Sequence, residues 1–528
     1  MTAAIELRGI HKSFGNVHAV RGVSLSIGKG AITGIVGENG AGKSTLMSIL
    51  YGLYRADSGE IRIDGQPIDM ESPHAAIAQG IGMVHQHFML VDTFTVLENL
   101  VLGAEGGPLL AGGLAAARAE LARLAREYGL AVNPDAKVAD LSVGEQQRVE
   151  ILKVLYRGAR ILILDEPSAV LTPQETDQLF RILATLKERG VTIVLITHKL
   201  REIMAATDHV YVMRQGQIVA DRPTAQTSPE ELAELMVGRK VRLELDKVAP
   251  HPDEVLLQAE HLSLVDGRGV RLLDDINLSL RAGEIIGIAG VSGNGQTELL
   301  QILSGIRRMT SGKLVVCGRT VDAHHPTDPA EMRDLGVAHV PEDRLRQGMV
   351  AAFQASETAI LGYQDEPPFC RHYLLDGPAV GRHCASLMEQ FDVRPRAPGL
   401  RSSNFSGGNQ QKLVLAREMS REPKVLLVGQ PTRGVDIGAI EFIHRELVNS
   451  RDQGCAVLVV SVELEEILSL ADRILVMFAG RIMGEVPAGR ADERTLGLMM
   501  AGAHSQEMGG RAHRGGRCPA GRRLRSCR

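Results

Sequence analysis

The sequence predicts an α/β protein made of two tandem halves, and three observations carry that reading. The segment Gly37-Glu38-Asn39-Gly40-Ala41-Gly42-Lys43-Ser44-Thr45 returns later as Gly290-Val291-Ser292-Gly293-Asn294-Gly295-Gln296-Thr297-Glu298. The chain aligns with itself from end to end, Val20-Arg-Gly-Val-Ser-Leu-Ser-Ile27 facing Leu273-Asp-Asp-Ile-Asn-Leu-Ser-Leu280, with an insertion in the middle of the second half. Each half alternates short apolar runs with helical stretches. At 528 residues the chain exceeds what one hydrophobic core accommodates, so two domains of about 250 residues follow. A repeat of this length is a duplicated domain, not a solenoid unit.

In the first half, Ile32 to Val36, Ile161 to Leu164 and Val191 to Ile196 are continuous apolar runs, the pattern of parallel strands buried on both faces. Their counterparts are Ile285 to Ala289, Val425 to Val428 and Ala456 to Val460. Leu114, Ala117, Leu121, Leu124 and Tyr128 keep helical spacing, which predicts an amphipathic helix packing within its own subdomain. Lys247 to Asp253 carries charge and two prolines without apolar periodicity and marks the boundary between domains 1–243 and 254–503. In the remainder, 504–528, the stretch Gly509 to Arg528 holds seven arginines, five glycines and no acid. It reads as a disordered, solvated tail.

A net charge of -4 advertises neither nucleic acid nor an anionic surface. The six cysteines are widely spaced and form no C-x-x-C pair, which excludes a disulfide framework or zinc site and fits a reducing compartment. No apolar run approaches the ~20 residues that span a bilayer, and the N-terminus has no basic-then-apolar leader. The expectation is a soluble chain unless a partner holds it at a membrane.

Gly37-x4-Gly42-Lys43-Ser44 follows a predicted strand and opens a helix, the context in which a glycine-rich loop cradles phosphate. Its N–H groups converge on phosphate oxygens, Lys43 adds a cation and Ser44 offers a hydroxyl to Mg²⁺. Farther on, Asp165 and Glu166 end the strand of Ile161-Leu-Ile-Leu. Two carboxylates at a buried strand tip are costly unless metal or protons are handled there. Asp165 suits Mg²⁺ contact, and Glu166 suits polarising an attacking water.

Together with Leu141-Ser142-Val143-Gly144-Glu145-Gln146, with Gln86 after an apolar run and with His198 closing a third strand, these motifs resemble the ATP-binding subunits of ABC transporters over residues 1 to about 503. The resemblance implies, for each half, a RecA-like parallel-sheet core with a small antiparallel β subdomain and a helical signature subdomain. It implies that ATP with Mg²⁺ is held by the loop Gly37 to Thr45, that Ser44, Gln86 and Asp165 face the metal, and that Glu166, His198, Lys43 and Gln86 serve hydrolysis. A strand-end phenylalanine is usually core, but the resemblance gives Phe14 an adenine ring to stack on.

The second half departs from the pattern. Lys43 becomes Gln296, Gln86 becomes Glu342, Asp165 becomes Gly429, Glu166 becomes Gln430, His198 becomes Val462, and Gly267 stands for Phe14. Loss of a positioned base alone costs ~10²–10⁴ in rate, so hydrolysis at this loop is expected to be negligible. Yet Phe405-Ser406-Gly407-Gly408-Asn409-Gln410 is a full signature, whereas Val143 adds bulk in the first. In the family the signature of one half closes over nucleotide held by the other. The resemblance therefore implies one hydrolytic composite site, with Ser406, Gly407, Gly408 and Gln410 completing the first-half loop, and one silent site. After Asp165-Glu166 the first half reads Ser168-Ala-Val-Leu-Thr172 without the family's usual aspartate, which the second half keeps as Asp436.

The fused pair of unequal halves resembles importers of simple sugars and nucleosides. The wording Met83-Val-His-Gln86-His-Phe-Met89, Val143 to Glu150 and Gly429-Gln-Pro-Thr-Arg433 is most similar to the nucleoside branch; a monosaccharide importer is the alternative. Such a subunit sits peripherally on the cytoplasmic face of the membrane. It works with two integral-membrane permease subunits and an extracytoplasmic solute-binding protein, with no nucleic acid and no direct contact with transported solute. Grooves near Gln86 and Glu342 are the expected docking surfaces, and Phe88-Met-Leu90 with Val96-Leu97 reads equally as interface or core. A soluble ribosome-associated tandem ATPase is the alternative of another class, against which stand the broken second site and the short boundary. A non-hydrolysing scaffold is the third, against which stands the complete set Lys43, Gln86, Asp165, Glu166 and His198.

Overall fold

The computed structural model describes residues 3–15, 17–85, 88–103, 110–168, 171, 173–240, 247–291, 293–435 and 437–502. Gln86, Thr172, Asp436 and the stretch 504–528 lie outside the described residues. The chain divides into two compact units, Met1–Glu244 with Gly434–Phe442, and Leu245–Arg433 with Ile443–Arg528.

In the first unit the apolar runs become a six-stranded sheet in the order Ile81–Val84, Ile161–Asp165, Thr192–Ile196, Ile32–Val36, His209–Arg214, Gln217–Pro223. Its first five strands are parallel and the last turns back antiparallel. Every residue of Ile32–Val36, Ile161–Asp165 and Thr192–Ile196 is buried, as continuous apolar runs require. A separate antiparallel sheet joins Val17–Gly28, Ala3–Phe14, Ser58–Ile63 and Gln66–Ile68. Helix Leu110–Tyr128 buries Ala117, Leu121 and Leu124, the face that the periodicity predicts, and packs on helices Val96–Val101, Val143–Tyr156 and Pro173–Glu188. Val96 and Leu97 are core, whereas Met89 is exposed; the run splits between the two readings it allowed.

The second unit repeats this plan. Strands Val337–Val340, Val425–Gly429, Ala456–Ser461, Ile285–Ala289, Arg473–Phe478 and Arg481–Pro487 follow the same order. The antiparallel sheet is formed by Arg271–Arg281, Val255–Val265, Ser311–Val316 and Arg319–Asp322. Ahead of it, the Lys247 ammonium donates to the carbonyls of Leu470 and Ala471 at 3.0 and 2.9 Å. The buried Arg451 guanidinium donates to Asp472 and to the Val248 carbonyl, each at 3.0 Å. The proline-bearing stretch is thus anchored to its own unit. Among the described residues no helix is long and apolar enough to cross a membrane.

Candidate nucleotide site

The central strand Ile32–Val36 delivers the chain into the glycine loop, and helix Lys43–Leu50 leaves it. Gly42 has φ 100°, and a Cβ there would collide with the Ala19 carbonyl oxygen; one on Gly37 would collide with that of Met213. Only bare backbone fits at these two positions, and the loop runs into a helix N-terminus, where an anion is favoured. The buried Lys43 ammonium donates to the Gly37 and Glu38 carbonyls at 2.7 and 3.0 Å. Burial lowers its pKa, opposed by the charges of Glu166, Asp165 and Glu38.

On the neighbouring strand tip, Asp165 is buried; burial raises its carboxyl pKa, the nearby Ser44 hydroxyl lowers it, and the net shift is upward. Glu166 follows at φ 46°, a left-handed conformation that costs a non-glycine residue about 1–3 kcal/mol. Its N–H donates to the Ile196 carbonyl at 2.9 Å, and its carboxylate lies 2.8 Å from His198 Nδ1. Burial pushes this carboxyl up, but the His198 bond with the charges of His198, Lys43 and Lys199 outweighs it and holds the group below the usual range. The fold thus gathers Lys43 and Ser44 from one helix start, Asp165 and Glu166 from one strand end, and His198 from beyond another. Hydroxyl and carboxylate oxygens at Ser44 and Asp165 are the hard donors that Mg²⁺ prefers. Phe14 is 43% exposed rather than core, edge-on to Tyr54 with ring centroids 5.2 Å apart. Asn39 and Gly40 are exposed, and Thr45 is half-buried beside Ser44.

In the second unit the loop backbone is kept and its chemistry replaced. Gly295 has φ 100°, as Gly42 does. The buried Gln296 amide accepts from the Asn294 N–H and donates to the Val291 carbonyl, both at 3.1 Å. Gln430 has φ 48° and donates its N–H to the Val460 carbonyl at 2.7 Å. Its side-chain oxygen accepts from the Val462 N–H at 3.3 Å, where the first unit has an imidazole. The Thr297 hydroxyl donates to Glu342 Oε2 at 2.6 Å.

The signatures differ in a residue that motif comparison passed over. Ser406 caps helix Gly407–Met419, its hydroxyl oxygen accepting from the Asn409 side-chain amide at 2.8 Å; Ser406 is exposed and Gly407 half-buried. Ser142 instead donates its hydroxyl to the Glu145 carboxylate at 2.9 Å. The Ser142 N–H and hydroxyl bonds hold Glu145 below the usual carboxyl range, so it is charged. A phosphate approaching helix Val143–Tyr156 meets a negative charge, and one approaching Gly407–Met419 does not. The signal was present at the third residue after each serine. Gln410 is buried, its amide engaged by the Ser402 carbonyl at 3.1 Å and by Arg344 at 3.4 Å, so it braces the turn before the signature.

Beside the first-unit site a cleft of about 580 Å³ is lined by Tyr51, Met83, His85, Met89, Lys153 and Arg157, among others. Lys153 ties its wall, donating to the Met89 carbonyl at 2.7 Å and to Glu150 at 3.0 Å.

Fold and site together define a phosphate-loop nucleotide-binding protein doubled within one chain, one copy carrying Lys43, Asp165, Glu166 and His198 and the other Gln296, Gly429, Gln430 and Val462 in their places. The chain belongs to the ABC transporter family, which it matches over residues 20–169 and 273–433, and it is an ATP-binding ABC ATPase. It is 45% identical to the nucleoside import ATP-binding protein NupA of Lactococcus lactis, the alignment covering 95% of this chain and 99% of that protein. Identity is also 45% to the guanosine import ATP-binding protein NupO of Bacillus subtilis, covering 96% and 99%. It is 43% to the glucose import ATP-binding protein TsgD13 of Haloferax volcanii, covering 94% and 96%. Among solved structures, the complex of archaeal ribosome recycling factor aABCE1 with stalk protein aP1 aligns over 90% of each chain with a TM-score of 0.59 at 20% identity, a likeness of fold alone.

Proposed function

We propose that this chain is the ATP-hydrolysing, energy-coupling subunit of an ABC importer for nucleosides. The observation that carries the ATPase reading is the gathering of Lys43, Ser44, Asp165 and the Glu166–His198 pair around one phosphate loop. In this reading the bare backbone from Gly37 to Thr45 binds the phosphates, with Glu38, Asn39, Gly40 and Ala41 shaping the loop, and Lys43 neutralises them. Phe14 stacks on the base, Glu166 takes a proton from the attacking water, and His198 orients Glu166 and reaches the terminal phosphate. Ser44 and Asp165, with Gln86, hold Mg²⁺, which supplies charge neutralisation when bound. Ser406 and Gly407, with Gly408 and the brace Gln410, complete the site as the signature offered to the first-half loop, and the second loop is silent.

Two integral-membrane permease subunits and an extracytoplasmic solute-binding protein complete the assembly, placing the chain peripherally on the cytoplasmic face. The cleft beside His85 and Met89, whose lining combines apolar Ile77, Ile81 and Met83 with Lys153 and Arg157, is where a permease helix docks. Nucleoside cargo is supported by the NupA and NupO relatives at 45% identity. The glucose relative at 43% favours a monosaccharide as the second reading. Uptake of labelled guanosine and of labelled glucose, in cells with and without this chain, tests both. Chain-dependent guanosine uptake is the expected result; chain-dependent glucose uptake alone overturns the nucleoside assignment. Recovery with ribosomes and without permeases from solubilised membranes overturns the transporter reading.

A further inference from the structure

In the first unit a hydroxyl and a carboxylate come near each other at the phosphate loop: Ser44 is the second residue of its helix and Asp165 ends strand Ile161–Asp165, and the hydroxyl acts to lower the pKa of that carboxyl. By motif position the second unit has lost that carboxylate, since Gly429 ends the matching strand Val425–Gly429. The structure nevertheless keeps the pair. Thr297, second residue of helix Gln296–Leu303, donates to a carboxylate at 2.6 Å, and that carboxylate belongs to Glu342, just beyond the adjacent parallel strand Val337–Val340. Gly429 makes this possible. A Cβ there would lie 2.5 Å from Glu342 Cγ, closer than carbon atoms approach, so the Glu342 side chain fills the space that a residue like Asp165 would take. The two replacements, aspartate to glycine on one strand and glutamine to glutamate on the next, are complementary: one vacates the space and the other returns the charge to it.

We propose that Glu342 is a relocated metal carboxylate, and that Thr297 and Glu342 seat the divalent cation of a nucleoside triphosphate bound at the second phosphate loop. This deepens the ABC ATPase reading and rests on it. Gly293 and Gly295, at φ 90° and 100°, keep the loop backbone in the course it follows at Gly40 and Gly42, and a buried Gln296 amide stands for the lysine as a neutral donor. Such a seat holds nucleotide with its cation. It does not turn it over, because Gln430 and Val462 supply neither base nor imidazole. The second loop is therefore a metal-dependent binding site without hydrolysis.

The test uses the full chain carrying Lys43→Ala, which disables the first loop, with Mn²⁺ and a non-hydrolysable ATP analogue as probes. Bound Mn²⁺ is read by electron paramagnetic resonance and bound nucleotide by equilibrium dialysis. One Mn²⁺–nucleotide per chain is expected. Adding Glu342→Gln, which installs the residue that the first half carries in its own motif (Gln86), weakens Mn²⁺ binding by roughly tenfold or more, since a lost carboxylate donor costs at least as much as a lost supporting contact. Thr297→Val, which keeps shape and removes the oxygen, acts in the same direction. Absence of nucleotide from the Lys43→Ala chain, or Mn²⁺ affinity unchanged in both further variants, overturns the proposal. ATP hydrolysis by the otherwise unchanged chain is measured in parallel: if it is present while Mn²⁺ binding fails these criteria, only the second-site proposal falls, and if it is absent the ATPase reading falls with it.

Discussion

Replacing Glu166 by glutamine removes one charge and keeps the shape. The second unit already shows that the backbone accepts this residue: Gln430 sits at φ 48° where Glu166 sits at φ 46°, and each donates its N–H to the adjacent strand. The Glu166→Gln chain is therefore expected to fold and, with Lys43 and the glycine loop untouched, to bind ATP as before. What it loses is the proton acceptor. A positioned general base contributes about 10²–10⁴ in rate, or roughly 3–5 kcal/mol of transition-state stabilisation at about 1.4 kcal/mol per tenfold. Phosphate release from purified chain at saturating Mg–ATP should fall by that factor with KM little changed. The converse Gln430→Glu should restore almost nothing, because Val462 offers no imidazole. Turnover above a tenth of the parent in Glu166→Gln, or a new second phase of hydrolysis in Gln430→Glu, would refute the assignment of the base.

The one-site reading also requires Lys43→Ala to abolish turnover while Gln296→Ala leaves most of it; equal residual rates in the two variants contradict it. Removing the His198 imidazole takes away the main interaction opposing the burial of Glu166, so its carboxyl pKa rises. The ionised form being the active one, the acid limb of kcat/KM in His198→Ala is expected at higher pH than in the parent; an unmoved limb would separate His198 from the base. Asn409→Glu places at the intact signature the charge that Glu145 carries at the other. Repulsion between like charges across several ångströms at intermediate dielectric is worth about 1–3 kcal/mol, so kcat/KM for ATP should drop by about tenfold or more and recover partly with salt; no change would mean that phosphate does not approach that helix.

Strand positions were legible because burial on both faces leaves an uninterrupted apolar run, and Ile32–Val36, Ile285–Ala289 and their neighbours carry one. The loop lysine and the strand-end carboxylates stood out by their motifs at the ends of apolar runs and His198 by the family resemblance, and the structure places Glu166 and His198 side by side. Features decided across strands were not. Motif alignment read Gly429 as a lost carboxylate, and only the side-by-side placement of two strand tips brings the Glu342 oxygen to Thr297. Gln410 reads as part of a nucleotide signature, while its surroundings turn it inward onto Ser402 and Arg344. The contrast of Glu145 with Asn409 was visible in the letters, but its meaning depends on the cap geometry that brings the carboxylate to the serine hydroxyl.

The left-handed turn at Glu166 and Gln430 has a further consequence. In both units the turn is fastened by one backbone hydrogen bond to the neighbouring strand, whether its side chain is a carboxylate or an amide. The conformation is thus a property of the sheet and is inherited without regard to catalysis. In the proposed one-site reading, reviving the second half demands new side chains on a scaffold already bent to receive them, whereas loosening the strand pair Ile161–Asp165 and Thr192–Ile196 would disarm the first half with every proposed catalytic residue still in place.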